Sequence, residues 1–143
     1  MVIAVVVAQF NDFVTARLRD GAMAQLREAG VADRDVRVFD VPGAFEVPQL
    51  ARRIAGTGRY DGVVCLGCLI RGATPHFDYI SSAVAHGIMS AAIETGVPMS
   101  FGVLTTNSAE EALERAVEGP SNKGREAAQA VIDMVRAGQA LGS

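Results

Sequence analysis

Hydrophobic and polar positions alternate along this chain in blocks: a short apolar run, a loop of small and polar residues, then a segment with helical spacing. The first run, residues 2–8, is β-branched and apolar throughout, the pattern of a strand buried on both faces. Gln9-Phe10-Asn11-Asp12 follows as a loop in which Asn11 or Asp12 caps the next helix. That helix carries Phe13, Val14, Ala16, Leu18, Ala22, Leu26 and Ala29 and stops at Gly30. The second run, Val36-Arg37-Val38-Phe39-Asp40-Val41, alternates instead, as an edge strand with one wet face does. Its exit, Pro42-Gly43-Ala44-Phe45-Glu46, leads into a helix through Leu50, Ala51, Ile54 and Ala55.

The third run, Gly62-Val63-Val64-Cys65-Leu66, again reads as a doubly buried strand, and it leaves through Gly67 to Tyr79. Helical spacing resumes at Ile80 and lasts to Thr95-Gly96. A fourth strand, residues 97–104, exits at Thr105-Thr106-Asn107-Ser108, where Asn107 or Ser108 caps a helix over 109–117. Glu118 to Gly124 breaks the pattern before a last helix carrying Ala127, Ala128, Ala130, Val131, Met134 and Val135. Strand and helix alternate throughout, which predicts a parallel sheet covered by helices on both faces, with right-handed crossovers. All four strand exits then lie at one edge of the sheet, where ligands bind in open α/β sheets.

With 143 residues, the chain is expected to be a single domain, residues 1–143, burying roughly 68–70% of its unfolded surface. Half of it is hydrophobic and a fifth charged, which is apolar for a monomer and implies that other subunits cover part of the surface. A net charge of -3 offers no basic stripe and argues against nucleic acid. No apolar run reaches the ~18 residues of a membrane span, and the start lacks the basic region and cleavage site of a signal peptide. With two cysteines and no export signal, a cytoplasmic location is expected. Cys65 and Cys68 have C-x-x-C spacing, but residues three apart on a strand face opposite sides, so small buried side chains are the better reading than redox or metal.

The exits gather more chemistry than a fold needs. Phe10 is either a staple packed on the helix start or an aromatic plate for a flat ligand. Glu46 either serves the helix start, where its charge suits the dipole, or faces a ligand, and Gly43 permits close approach. Gly72-Ala73-Thr74 precedes a helix whose N-terminal amides suit phosphate. His76 is one of two histidines; imidazoles titrate near ~6.5 and move protons at neutral pH. His86, ten residues on, reads as a packing or interface residue. Arg115, at a helix end, reads as a solvated cation suited to the dipole. There is no dinucleotide fingerprint, Walker A motif, nucleophile elbow or metal cluster. The residues therefore point to a cofactor-free acid–base site for a small, flat, phosphorylated substrate.

At this point the chain resembles the 6,7-dimethyl-8-ribityllumazine synthases. The resemblance rests on Phe10-Asn11, Pro42-Gly43-Ala44-Phe45-Glu46, Gly67 through Tyr79, Phe101 through Thr106, Leu113-Glu114-Arg115-Ala116 and Asn122-Lys123-Gly124, in one order along the chain. It implies a flavodoxin-like three-layer α/β sandwich with strand order 2-1-3-4. It implies the penultimate step of riboflavin synthesis: 5-amino-6-(D-ribitylamino)uracil condenses with 3,4-dihydroxy-2-butanone 4-phosphate, releasing phosphate and water. By that resemblance Phe10 stacks on the pyrimidine, Asn11, Gly43, Ala44 and Glu46 hold the ribityl chain, and backbone at Cys68, Leu69 and Ile70 reads the uracil edge. Gly72, Ala73, Thr74 and Arg115 hold the phosphate, His76 transfers protons, and Phe101 and Arg115 come from a neighbouring subunit.

The sole lysine, Lys123, could suggest a Schiff-base enzyme; in this family the attacking amine belongs to the substrate, so an electrostatic role is expected. No cofactor and no metal are implied. The implied partners are copies of the chain, as a pentamer or a multiple of pentamers, and riboflavin synthase. The chain departs from the family pattern at Gln9, at Cys68 and across Ala116 to Ser121, and it lacks the usual N-terminal extension, which puts a sixty-subunit shell in doubt. A non-catalytic flavin- or phosphate-binding paralogue, a cage-forming paralogue and an archaeal-type riboflavin synthase are the rival readings. The Gly72-Ala73-Thr74-Pro75-His76 stretch fits the first family better.

Overall fold

The apolar runs become four strands, β1 (Ile3–Ala8), β2 (Val36–Val41), β3 (Gly62–Ile70) and β4 (Met99–Thr106), in a computed structural model that describes residues 1–142. Five helices separate or follow them: α1 (Asp12–Glu28), α2 (Val47–Gly56), α3 (His76–Thr95), α4 (Ala109–Arg115) and α5 (Lys123–Ala140). All strand pairs are parallel and the order is β2-β1-β3-β4. This is the three-layer, flavodoxin-like arrangement that the alternation and the resemblance imply.

The period of two along a strand sorts the core into two layers. Ile3, Val5 and Val7 face α1 and α5, packing with Val14, Leu18, Leu26, Val131 and Ile132. Ala4, Val6 and Ala8 face α2 and α3, packing with Val47, Ala51, Ile54, Val84 and Ile88. Each Val, Leu or Ile side chain so buried is worth about 1.5–3 kcal/mol. The same alternation puts Cys65 in one layer and Cys68 in the other. Burial alone pushes their thiols up, Cys65 to about 12 and Cys68 to about 11, so neither is poised as a thiolate.

Several boundaries shift for physical reasons. β3 runs past Leu66 to Ile70 because β4 continues beside it, pairing Gly67 with Val103 and Ile70 with Thr106. Gly67 to Ile70 are therefore strand, not loop. α3 begins at His76 rather than Ile80, so the histidine stands in a helical first turn. Phe13, Ala130 and Met134 turn outward instead of joining the core, and His86 is exposed rather than packed. Among the described residues no helix is long and apolar enough to cross a membrane.

Candidate active site

Main-chain hydrogen bonds bind the four strand exits in two pairs. Beyond β1, the amides of Gln9 and Phe10 donate to the carbonyls of Val41, the last residue of β2, and Pro42, just after it, at 2.8 and 3.0 Å. Beyond β3, the Arg71 amide donates to Thr106 of β4 at 2.8 Å. Asn11 closes the gap between the pairs: its Nδ2 donates to the Cys68 carbonyl at 2.8 Å, across 57 residues of sequence. Asn11 stands at the N-cap position of α1, yet its side chain makes no capping bond and its backbone is left-handed, with φ 65° and ψ 44°. The capping expectation for Asn11 thus gives way to a strand-bridging role.

This framework holds Phe10 with 69% of its surface exposed. A staple residue would be covered by its helix, and Phe10 is not. Glu46 likewise makes no capping bond to α2. It lies in a 3-10 turn of Ala44–Glu46, with its Oε1 3.3 Å from where a Gly43 side chain would begin; Phe10 Cβ is 4.0 Å from the same point. Bare backbone at Gly43 thus separates the aromatic ring from the carboxylate. Ala44 is buried beneath, 3.5 Å from where a side chain at Gly67 would begin, and Leu69 and Ile70 are half-buried at the end of β3. Phe10, Asn11, Gly43, Ala44, Glu46 and the Cys68–Ile70 strand end are neighbours at one edge of the sheet.

Gly72, Ala73, Thr74 and His76 are exposed beside it. Pro75 occupies the N-cap of α3 and offers no side-chain acceptor; its carbonyl takes the Asp78 and Tyr79 amides, so the His76 and Phe77 amides of the 20-residue helix are left uncapped at the positive end of the dipole. Arg71 fixes this stretch at both ends, a contribution the sequence reading missed. Its Nε donates to Asn107 Oδ1 at 3.1 Å, its Nη2 lies 3.3 Å from Asp78, and its guanidinium covers the Phe77 ring at 4.4 Å. The position of an arginine directly at a strand exit was the available signal.

The remaining candidates stand apart. Phe101 lies mid-strand on β4 opposite Cys65, about 10 Å down the sheet from Cys68 at the usual rise per residue, and is half exposed at the sheet edge. Arg115 ends α4 and folds back on Glu111, donating from Nη1 to its carbonyl at 3.0 Å and lying 3.4 Å from its carboxylate. Glu111 also accepts from the Asn107 amide, and Ser108, not Asn107, caps the helix by accepting from the Glu111 amide. Lys123 opens α5 and pairs with Glu126 at 2.7 Å. No group of three or more His, Cys, Asp or Glu side chains able to hold a metal comes together among the described residues.

A flavodoxin-like sheet whose strand exits bring an exposed aromatic ring, a carboxylate and a helix start to one edge has the architecture of an α/β protein that binds small molecules beyond its strand ends. The chain matches the 6,7-dimethyl-8-ribityllumazine synthase family over residues 1–139. A relative from Syntrophus aciditrophicus (strain SB), named 6,7-dimethyl-8-ribityllumazine synthase, is 49% identical over 135 residues, 94% of this chain and 88% of that protein. The chain belongs to the 6,7-dimethyl-8-ribityllumazine synthase family.

Proposed function

We infer that this protein condenses 5-amino-6-(D-ribitylamino)uracil with 3,4-dihydroxy-2-butanone 4-phosphate, as a transferase of riboflavin biosynthesis. The 5-amino group of the pyrimidine attacks the ketone and an imine forms with loss of water. Phosphate is then eliminated, and the ribitylamino nitrogen closes the ring with loss of a second water. The chain acts as one domain. Phe10 stacks on the pyrimidine, while Asn11, Gly43, Ala44 and Glu46 hold the ribityl chain. The Asn11 bond to Cys68 stiffens the strand end of Cys68, Leu69 and Ile70 that reads the uracil edge.

Gly72, Ala73 and Thr74, with the α3 amides, receive the phosphate. His76, in the first turn of that helix, carries protons between the amine, the imine and the leaving group. The nucleophile belongs to the substrate, so Lys123 acts through its charge alone. Arg115 suits phosphate because its planar fork pairs with two oxygens at once. Catalysis rests chiefly on holding two substrates side by side.

We place Phe101 and Arg115 in the site of a neighbouring subunit. What supports this is the place of Phe101 mid-strand on the edge strand β4, away from the strand exits, the engagement of Arg115 with Glu111 of its own helix rather than with the Gly72-Ala73-Thr74 turn, and a bare stripe along α3. Tyr79, His86, Met89 and Ile93 are exposed at spacings of seven, three and four, while Val84, Ile88 and Ala91 cover the core. A helix apolar on both faces belongs inside an assembly. We read the assembly as a ring of five or a multiple of it, and the compartment as the cytoplasm, which suits two free thiols.

The convergence of Phe10, Asn11 and Glu46 on the β3 exit, in a chain of this family, carries the reading. Purified protein mixed with both substrates should speed formation of the lumazine chromophore and of free phosphate; a rate equal to the spontaneous reaction would overturn it. His76→Ala should lower kcat by no more than ~10²-fold, the low end for acid–base groups, because proximity survives. Arg115→Ala should chiefly raise KM for the phosphorylated substrate.

A further inference from the structure

Asn122 is 1% exposed, and its amide is engaged on every side. Nδ2 donates to the carbonyls of Ala116 at 3.0 Å, Val117 at 3.2 Å and Arg17 at 3.3 Å. Oδ1 accepts from the amides of Gly124 at 2.8 Å and Arg125 at 3.2 Å. One side chain thus closes the end of α4, opens α5 and fastens both to α1. Two glycines make room for it: a side-chain carbon at Gly21 would collide with the Asn122 amide, and one at Gly124 with the Leu18 carbonyl.

The consequence falls on Arg115. α4 has seven residues, too few for a helix to persist without outside support, and its last carbonyls have no partner inside the helix. Ala116 and Val117, the two residues after Arg115, are the ones that Asn122 grips. Arg115 is itself held to Glu111 of the same short helix, so guanidinium and helix end move as one piece. The far side of the same amide fixes Lys123, the first residue of α5.

We propose that Asn122 is a positioning residue of the reaction, setting where the Arg115 guanidinium meets the substrate phosphate. The proposal rests on the assignment of Arg115 to phosphate given above. Asn122 touches no substrate; it acts through the end of α4. It explains why an asparagine stands here rather than a serine. Serine caps a helix as well but supplies no donors to three carbonyls.

Asn122→Ser keeps an acceptor for the α5 amides and removes the grip on α4. Its KM for the phosphorylated substrate should rise about tenfold, as for loss of one charge-assisted hydrogen bond. KM for the pyrimidine should stay within about twofold. Inorganic phosphate, used as a competitive inhibitor, should weaken in parallel. If Asn122 acts through Arg115, the double variant Asn122→Ser/Arg115→Ala shows no larger KM than Arg115→Ala alone. Ile132→Val, which loosens α5 away from the site, should lower the melting temperature without moving either KM.

Additive effects in the double variant, or an equal rise in KM from Ile132→Val, would show a merely structural role and overturn the proposal. An unchanged KM in Asn122→Ser beside a raised one in Arg115→Ala defeats the proposal alone. An unchanged KM in Arg115→Ala defeats the phosphate assignment and the proposal with it. Should Asn122→Ser fail to assemble, Asn122→Asp serves the same readings: it keeps the shape and the cap, and turns a second acceptor toward the three carbonyls.

Discussion

Asn11 offers a test in which the sign of a difference decides. It holds a left-handed backbone, φ 65° and ψ 44°, and it is the described non-glycine residue with positive φ. Its side chain also makes the 2.8 Å bond to the Cys68 carbonyl. Asn11→Ala loses that partly buried bond, about 1 kcal/mol. It also puts a residue poorly suited to the left-handed region there, which costs about 1 kcal/mol more than asparagine, a residue that visits it readily. Asn11→Gly loses the same bond but adopts this backbone freely; its added cost, about 0.5 kcal/mol, comes from a more flexible unfolded chain. Glycine relieves whatever strain asparagine retains, so its total is about 1 kcal/mol against about 2 for alanine. For a chain of 143 residues each kcal/mol moves the melting temperature by about 3–4 °C. Melting at one protomer concentration, which mass action requires for an assembly, should therefore give a loss of about 4 °C for glycine and about 7 °C for alanine. At an ordinary helical position alanine is the more stable of the two. Finding alanine equal to or above glycine would refute the claim that Asn11 is chosen for its backbone as well as its amide.

Further outcomes follow from the same geometry. Ile93→Asp alters a residue 73% exposed on α3, so the protomer should keep its far-UV circular dichroism while light scattering shows the assembly gone; an intact assembly would mean that this stripe faces water. Burial keeps both cysteine thiols protonated to higher pH than an exposed thiol, which ionises near 9.0. Unfolded thiols ionise first as pH rises from about 9 toward about 11, so the unfolded state binds fewer protons there and stability falls with pH. Urea midpoints should show this decline, and it should flatten in a Cys65→Ala/Cys68→Ala double variant. An unchanged slope would show that the thiols do not contribute.

Much of this architecture is legible in the sequence because it depends on period. Residues 2–8 and 62–66 are apolar without interruption, 36–41 alternates, and a strand period of two is enough to place Cys65 and Cys68 in opposite layers. The cleft residues were legible for another reason: a helix and a buried strand need no Phe10, Glu46 or His76 at their junctions. What stayed hidden depends on contacts distant in sequence. β3 reaches Ile70 because β4 keeps pairing with it, not because Gly67 to Ile70 read as strand. Asn11 and Glu46 sit where caps belong, yet neither caps its helix, and only the placement of Cys68 shows that Asn11 bridges strands instead. Asn122 reads as a polar residue in a broken loop; its burial arises from α1, over a hundred positions away in sequence.

The two groups of site residues are supported in different ways, and this bears on how a reaction without a protein nucleophile is run. The cleft around Phe10, Asn11 and the β3 exit is tied by main-chain bonds between strand ends, which leave little rotamer freedom and fix a flat substrate by its edges. The cations Arg115 and Lys123 ride on helix ends joined through one amide, on the α1–α5 side of the sheet. On the proposed roles, the pyrimidine is held mainly by one chain, with Phe101 of the next, whereas the phosphate beside it is met by the cation of the next chain at the Gly72-Ala73-Thr74 turn. Because proximity supplies most of the rate, the precision that matters is the distance between those two supports, and subunit packing sets it. Under this reading the exposed stripe of α3 is part of the catalytic apparatus, since it fixes how far one chain's phosphate cation stands from the next chain's pyrimidine.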